Sequence, residues 1–399
     1  MNKKIIFKGD QDSKFAYFSL MFSAGTAIEN TEELGFSHLI EHLLLRSGGE
    51  QSLNELFDNN GAFIGGETSR DYINLMGYCK AENFKNIFEA IVSRVFNLNL
   101  TEEELLREKR VVLVELTQYE NGSKTEKIVS DNRLIFKNSK WSEDIIGVRE
   151  NIESVDLKKL YKFYTENIQN GEFQIAISGP NHLKEEIAII ENKLPVGRTP
   201  VKSNFPIFSS GVTERKKNQQ VSEISMYIDI SKMTTSSHDV AILTILNAML
   251  TGVKGSVLGG KLRTKNQWVY NIISFPIFYN GLTILKILTR TPEIHKHQVV
   301  QVLKEDLVNR EDLKNTKLFD KAKKRVINEV LMSYEVKKVE FLKTLCREKL
   351  FNIPSWESVT GEIEKVSLNE LNQFAKDALM QNKQFSYHNK LLIYLLKCS

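Results

Sequence analysis

Residues 36–45, FSHLIEHLLL, decide the fold and the chemistry expected of this chain. Apolar side chains at positions 36, 39, 40, 43 and 44 predict a helix that begins near Leu34. Because His38 and His42 are four residues apart, their imidazoles leave a helix about 40° apart and can reach one ion. Imidazole pairs at this spacing suit Zn²⁺, and Glu41 lies beside both, where it can take a proton from a bound water.

The start of that helix and the rarity of the motif support this interpretation. Thr31 and Ser37 are the residues available to cap the N-terminus. With seven histidines in 399 residues, His-x-x-Glu-His arises by chance in well under about 1% of chains of this composition. The other five histidines are scattered, and we expect them to be structural or solvated: His182, His238, His295, His297 and His388.

A third ligand is needed, because catalytic zinc usually takes three protein ligands and leaves one position for water. Glu108 and Glu115 lie seven residues apart in EKRVVLVE, so on a helix they differ by only about 20°. Val111 and Val112 make the same region largely apolar, so we expect an acid there to be buried and partnered. Without the histidine motif, a pair of ordinary surface acids would be the simpler interpretation.

Outward from these motifs, periodicity predicts alternating strands and helices through the first half of the chain. Thr101, followed by three acids, is a typical helix N-cap. The predicted strands cover residues 16–24, 62–78 and 173–178, and the predicted helices 52–59, 84–96 and 102–118.

The second half repeats the order of strands and helices, which predicts a duplicated α/β unit. Between the halves, residues 194–211 hold three of the seven prolines and show no sustained period. We therefore divide the chain into an N-terminal domain (1–195), a linker (196–211) and a C-terminal domain (212–399). Past the linker we expect strands over 221–230, 270–278 and 282–289, a helix over 239–251, a glycine-broken turn over 252–260 and helices over 293–333.

Composition excludes several classes of protein. The net charge is only +4, from 54 basic and 50 acidic residues, which is too little for a nucleic-acid-binding surface. Three widely spaced cysteines, Cys79, Cys346 and Cys398, argue against a disulfide framework and favour the cytoplasm. No stretch approaches the roughly 20 apolar residues that span a bilayer, so we expect no membrane association.

His38-x-x-Glu41-His42, followed some seventy residues later by Glu-x6-Glu, resembles the inverted zinc motif of the pitrilysin or insulinase family of metallopeptidases. The resemblance covers nearly the whole chain. In the second half, residues 262–270, LRTKNQWVY, are similar to the substrate-binding Arg-x6-Tyr segment of that family. Further similar features are Gly25, Glu29, Gly35, Thr68-Ser69-Arg70-Asp71, Gly147 and the strand FQIAIS.

This resemblance implies a fold and a set of roles. The fold would be α+β, with two similar α/β domains, each a mainly antiparallel sheet packed with helices, forming half of a clamshell. Carried over by position, the roles are zinc ligands for His38, His42 and Glu115, general base for Glu41, supporting acid for Glu108, and substrate or transition-state contacts for Arg263 and Tyr270.

Two positions depart from the family pattern. Gly65-Gly66 stands where many members have Asn-Ala, so an amide that contacts substrate is missing. Gln267-Trp268 stands where a glycine is usual, although the spacing from Arg263 to Tyr270 is kept. We expect substrate preference or rate to differ accordingly.

The resulting prediction is a zinc-dependent endopeptidase that acts on peptides or unfolded segments, with trimming of a peptide precursor as a narrower task of the same kind. The peptide would lie extended against a sheet edge, in the strand that contains residues 65–71. Family members of this length pair two halves around a chamber, which implies a homodimer or a heterodimer with a related chain. The alternative is a catalytically silent assembly or binding subunit of such a heterodimer, which predicts damaged ligands.

Overall fold

The protein is described by a computed structural model over residues 4–49, 51–121, 131–133, 135–136, 140–196, 208, 210–216, 220–305, 310–380 and 386–387. Two five-stranded sheets, each packed with helices, form its frame. The predicted α+β class with two similar, mainly antiparallel sheets is confirmed. The strands are β1 (Ile5–Gly9), β2 (Phe15–Phe22), β3 (Phe63–Thr68), β4 (Ile73–Lys80), β5 (Phe173–Gly179), β6 (Gly211–Lys216), β7 (Val221–Asp229), β8 (Ile272–Tyr279), β9 (Leu282–Pro292) and β10 (Ser386–Tyr387).

The first sheet has the order β1-β5-β2-β4-β3, in which only β1 and β5 run parallel. Residues 62–78, predicted as one stretch of strand character, form the hairpin of β3 and β4. In β2 the alternation places Phe18, Leu20 and Phe22 in the main core of this half, while Met21 faces the other side of the sheet. Both faces of the sheet are therefore covered.

The four helices predicted in the first half are observed close to their predicted positions, and three further helices were not predicted. Thr101 and Ser52 each form a capping box, with Glu104 and Glu55 respectively. The helices are α1 (Phe36–Arg46), α2 (Leu53–Asn59), α3 (Phe84–Phe96) and α4 (Glu102–Glu120), followed by Arg149–Ser154, Leu157–Tyr164 and Leu183–Glu191.

The predicted caps of α1 are wrong. Its N-cap is Gly35, in the left-handed conformation at φ 105°, and neither Thr31 nor Ser37 caps it with a side chain. Instead the buried carboxylate of Glu29 accepts hydrogen bonds from the backbone N–H groups of Gly35 (3.0 Å) and Ser37 (2.7 Å). An acid from the preceding loop thus satisfies the free N–H groups at this helix start.

The second sheet has the order β10-β6-β7-β9-β8, again with one parallel pair at an edge. The predicted helix 239–251 is observed as Ser237–Asn247, continued by a π-helical turn, Ala248–Gly252. The predicted glycine-broken turn ends in a second π-helical segment, Gly259–Lys265. The remaining helices are Lys296–Glu305, Thr316–Glu335, Lys338–Phe351, Trp356–Ile363 and Leu368–Met380.

The helix Lys338–Phe351, here called the crossover helix, belongs to the second half by sequence but packs on β2 and β5 of the first sheet. Its Phe341, Leu345 and Cys346 are buried against Met21 and Ala176. The two halves are therefore joined through a shared apolar layer. Most of the predicted linker, together with His388 and Cys398, lies outside the described residues.

Candidate metal centre

The structure brings together His38, His42 and Glu115, whose candidate ligand atoms lie within 4.8 Å of one another. The Nε2 atoms of His38 and His42 lie 3.7 and 3.5 Å from Oε2 of Glu115. Ligand atoms bound about 2.0–2.1 Å from a tetrahedral Zn²⁺ are roughly 3.3 Å apart. The three donors therefore face a common point at nearly the separation that a shared ion requires.

Burial keeps the His38 imidazole in the form that binds a metal. Only 11% of the His38 side chain and 10% of the His42 side chain are exposed. Burial, reinforced by the nearby His42, lowers the pKa of His38 to about 4. A neutral imidazole keeps a lone pair for coordination, so the cluster fits Zn²⁺ at neutral pH.

Glu108 lies behind the cluster, on the opposite side of the same imidazole from Glu115. Its Oε2 is 3.7 Å from Nδ1 of His42, and both atoms are buried without a hydrogen-bond partner among the described residues. Burial disfavours its charged form, but His42, Arg107 and Arg46 outweigh that effect and hold the pKa of Glu108 below its usual value. An ionised acid at this place is of the kind that orients a histidine ring in metal sites.

The expectation that both acids of α4 are buried is half right. Only 3% of the Glu108 side chain is exposed, whereas 46% of the Glu115 side chain is exposed. The reason is local: Val112 is buried, but Val114 is 58% exposed beside Glu115. Glu115 therefore lies at the open side of the cluster.

Glu41 points from α1 toward strand β3. Its Oε2 accepts a 2.7 Å hydrogen bond from Oγ1 of Thr68. A Cβ atom added at Gly66 would lie 2.2 Å from Oε1 of Glu41, so the carboxylate rests on the bare backbone of that glycine. Burial raises the pKa of Glu41, while the Thr68 hydrogen bond opposes the rise. A carboxyl with a raised pKa is suited to accepting and returning a proton.

The strand beside Glu41 is an edge strand. β3 is hydrogen-bonded to β4 and ends the first sheet. The predicted placement of residues 65–71 at a sheet edge therefore agrees with the topology for residues 65–68. Residues 69–72 form the turn between β3 and β4, closed by the hydrogen bond from Ser69 N–H to Tyr72 C=O.

Arg263 and Tyr270 lie in the second half, where they line an open cleft of about 500 Å³ with Trp268 and Arg290. The Arg263 guanidinium is 5.9 Å from the centre of the Tyr270 ring. Tyr270 is 88% exposed and precedes β8, so the predicted strand 270–278 begins two residues late. Within the described part of the chain, the contacts of this pair are confined to the second half.

Sequence reasoning assigned no structural role to the residues that hold the strand and helix of the site in place, although it named Glu29 as a feature similar to the family. Glu67 accepts a hydrogen bond from the Tyr72 hydroxyl (2.9 Å) and pairs with Lys343 of the crossover helix (3.0 Å). Glu29, buried under the start of α1, has its pKa raised to about 7 by that burial. Lys343 lies 276 positions from Glu67, a separation at which sequence periodicity carries no signal.

The chain has two similar halves, and in the first half the helix with His38, Glu41 and His42 lies against the helix with Glu115. This arrangement is typical of the metallopeptidases that carry the inverted zinc motif. The chain belongs to peptidase family M16. The family model described as Insulinase (Peptidase family M16) matches residues 4–147. A second model, described as Peptidase M16 inactive domain, matches residues 154–326. The resemblance to the pitrilysin or insulinase family is thereby confirmed.

The names of two relatives agree with membership of this family. A Bacillus subtilis protein named "Uncharacterized zinc protease YmxG" is 19% identical over 95% of this chain and 94% of its own length. The mitochondrial-processing peptidase subunit beta of Bos taurus is 26% identical over 40% of this chain and 33% of its own length.

Solved structures share the fold. A protease from Helicobacter pylori superposes with a TM-score of 0.78 at 15% identity, over 94% of this chain and 93% of that chain. A chain of complex III from Candida albicans gives 0.72 at 13% identity, over 94% and 90% of the two chains. In the described residues of our protein, no helix is both long and apolar enough to cross a membrane.

Proposed function

We propose that this peptidase-like protein is a zinc-dependent endopeptidase that hydrolyses extended peptides or unfolded segments. The observation that carries the proposal is the convergence of His38, His42 and Glu115 beside the carboxylate of Glu41. The names of two relatives, a zinc protease and a processing peptidase subunit, support it at the level of the family.

In this proposal His38, His42 and Glu115 hold the ion, and Glu108 holds the His42 ring in place from behind. A Zn²⁺ ion bound there supplies a Lewis acid that polarises the scissile carbonyl and activates water. Glu115, half exposed at the open side of the cluster, leaves room for a peptide to approach.

Glu41 serves as the general base. Its carboxylate accepts the proton of the attacking water and returns it to the departing amine as the peptide bond breaks. The Thr68 hydroxyl, which donates to Oε2 of Glu41 at 2.7 Å, keeps the carboxylate against β3. The peptide pairs with the free edge of β3, so that its backbone and not its sequence supplies most of the binding.

Arg263 and Tyr270 are proposed to contact the substrate, with the Tyr270 hydroxyl stabilising the oxyanion. The high exposure of Tyr270 supports a contact made across a chamber with a second chain. That chain is another copy or a related protein, in keeping with a relative named as a subunit and a structural neighbour from complex III. The cytoplasm remains our prediction for the location, and the relatives named as mitochondrial do not support it.

Metal analysis and peptide hydrolysis on the same variants test the proposal. The purified chain should hold one zinc per chain and cleave unfolded peptides. His42→Ala should lose both properties, whereas His182→Ala, at an exposed position before a helix, should lose neither. Zinc retained undiminished by His42→Ala would refute the ligand assignment. A chain that binds no metal and cleaves no peptide would instead be the silent assembly subunit.

A further inference from the structure

Phe63 is a large aromatic residue at the free edge of the first sheet. It begins β3, the same strand whose other end lies against Glu41, and it is 50% exposed. An exposed phenylalanine on an edge strand is unusual, because such edges invite pairing with other chains. Its place on the strand that also contacts Glu41 gives that exposure a specific use.

The backbone groups of β3 that point outward can be identified from the hairpin turn. Ser69 N–H donates to Tyr72 C=O, so this pair is a hydrogen-bonded one. Hydrogen-bonded and non-bonded pairs alternate along an antiparallel ladder. Residues 63, 65 and 67 therefore bond to β4, and Ile64, Gly66 and Thr68 direct their N–H and C=O groups out of the sheet.

The side chains of β3 alternate in the same way. Gly66 and Thr68 contact Glu41, so residues 63, 65 and 67 face the opposite side of the sheet. Gly65 has no side chain, and the Phe63 ring leans over it: an added Cβ would lie 3.3 Å from Cζ of Phe63. A peptide residue opposite Gly65 therefore meets an uncovered surface with Phe63 beside it.

Further aromatic rings extend that surface across the sheet. The Phe63 and Tyr78 rings stack with centres 5.8 Å apart and an angle of 28° between their planes. Tyr78 is 37% exposed and also contacts the rings of Tyr17 and Phe15. We call these four side chains the aromatic shelf. It is bounded toward Thr68 by Glu67, which Tyr72 and Lys343 hold in place.

We propose that the aromatic shelf is a specificity subsite that selects a large apolar side chain in a peptide paired with β3. This proposal rests on the proposed function only in taking the ligand of the edge to be an extended peptide. Because Glu41 contacts positions 66 and 68, the selected residue, opposite Gly65, lies within about three residues of the bond that is cleaved. Stacking on Phe63 then adds to backbone pairing, which is itself indifferent to sequence.

The test uses the zinc-loaded full-length protein and a set of internally quenched peptides. Each peptide has the same charge and a serine- and threonine-rich background, and a single tryptophan occupies successive positions. We expect one position, within about three residues of the cleaved bond, to raise kcat/KM about five- to tenfold over serine. A flat profile across all positions would overturn the proposal.

Two matched variants test whether the preference for tryptophan over serine arises at the aromatic shelf. Phe63→Ser should reduce the preference, measured as the ratio of kcat/KM for the tryptophan and serine peptides with the same variant, to within about twofold. Phe275→Ser changes an aromatic residue of similar exposure on β8, the edge strand of the second sheet, and should keep the preference. Because Phe63 is half exposed, its loss leaves the fold intact. A preference that survives Phe63→Ser would contradict the assignment.

A binding experiment separates this proposal from the proposed function. The Glu41→Gln variant, titrated with fluorescent peptides, should bind the best tryptophan peptide about fivefold more tightly than its serine counterpart. Phe63→Ser in that background should remove the difference. If the parent protein cleaves nothing, the endopeptidase proposal fails, yet this difference still supports the shelf. Equal binding of the two peptides would overturn the shelf alone.

Discussion

The two halves of the molecule share one sheet architecture, but the first and last strands of each half exchange positions in it. In the first sheet the opening strand β1 lies at the edge and the closing strand β5 lies inside, beside β2. In the second sheet the opening strand β6 lies inside and the closing strand β10 lies at the edge. Both arrangements produce four antiparallel strands with one parallel strand added at an edge. The sheet architecture therefore allows different connections between strands, provided that the central strands are retained.

The helix that follows the second strand of each half differs much more in chemistry. In the first half α1 buries His38, Glu41 and His42 among leucines and isoleucines. In the second half the helix Ser237–Asn247 buries only apolar side chains beyond its first turn. Apolar patterning is thus sufficient for the fold, and the buried polar groups of α1 are present for another reason. Four sets of variants test this contrast between the two halves.

The largest effect is expected from Glu41→Gln in the first half. Loss of the general base should lower turnover roughly 10²- to 10⁴-fold, while zinc content measured by elemental analysis stays unchanged. The matched change Glu362→Gln in the second half, where the acid binds His238 at 3.1 Å, should leave turnover within about twofold. Activity of Glu41→Gln within about tenfold of the parent would contradict its role.

A mixed-dimer experiment asks whether the halves of separate chains cooperate. Tyr270→Phe alone should lower turnover on the order of 10²-fold, because an oxyanion donor is lost. If a homodimer places the metal half of one chain against the second half of its partner, co-expression with Glu41→Gln makes mixed dimers with one intact site. Random pairing should then restore about a quarter of parental activity.

Control preparations are needed to interpret the activity of the mixed dimers. Each variant expressed alone should stay at its own low rate, and differential tags should demonstrate the mixed dimers. No recovery in demonstrated mixed dimers would mean that each site is built within one chain, or that Tyr270 serves structure only.

A smaller effect is expected at Glu108. Glu108→Gln should weaken zinc affinity about 10- to 100-fold, measured by competition with a chelator, because the acid orients His42 without binding the ion. Glu115→Gln should weaken it more, since a ligand is lost. The reverse ranking would exchange the roles of the two acids.

The smallest effects are expected at two residues with positive φ, one in each half. Gly35, at φ 105°, touches Gly147, and an added Cβ would lie 2.9 Å from its Cα. Gly35→Ala should therefore lower the free energy of unfolding by about 1–3 kcal/mol. Gln267, at φ 56°, carries a side chain in the second half. Gln267→Gly should change stability by about 1 kcal/mol or less, in the opposite direction. Chemical denaturation measures both, and an insensitive Gly35 would show that the backbone contact relaxes.

The features that could be predicted from the sequence are those formed by residues close together along the chain. His38 and His42, or Glu108 and Glu115, share a helix, so the period of the helix fixes their relative direction. Strands β2, β5, β7 and β9 and helices α1 to α4 followed from the same local patterns, whereas β1 and β6 were not predicted. Even so, local patterning overstated the burial of Glu115, which lies where α4 meets open solvent.

The remaining features depend on contacts between distant segments. Thr68 reaches Glu41 only because the β3 edge lies against α1. The cap supplied by Glu29 requires the loop before α1 to fold back, which displaced the expected roles of Thr31 and Ser37. Such contacts follow from packing, and no spacing in the sequence predicts them.

The crossover helix also sets an order of events during synthesis. Strand β5 completes the first sheet at Gly179, but the helix that covers its outer face ends only at Phe351. At typical rates of translation, roughly 10 to 30 s separate the two. Throughout that interval Met21, Tyr72 and Ala176 remain uncovered on the nascent chain. The half that carries His38 and His42 is thus expected to need chaperones until the ribosome has made most of the protein.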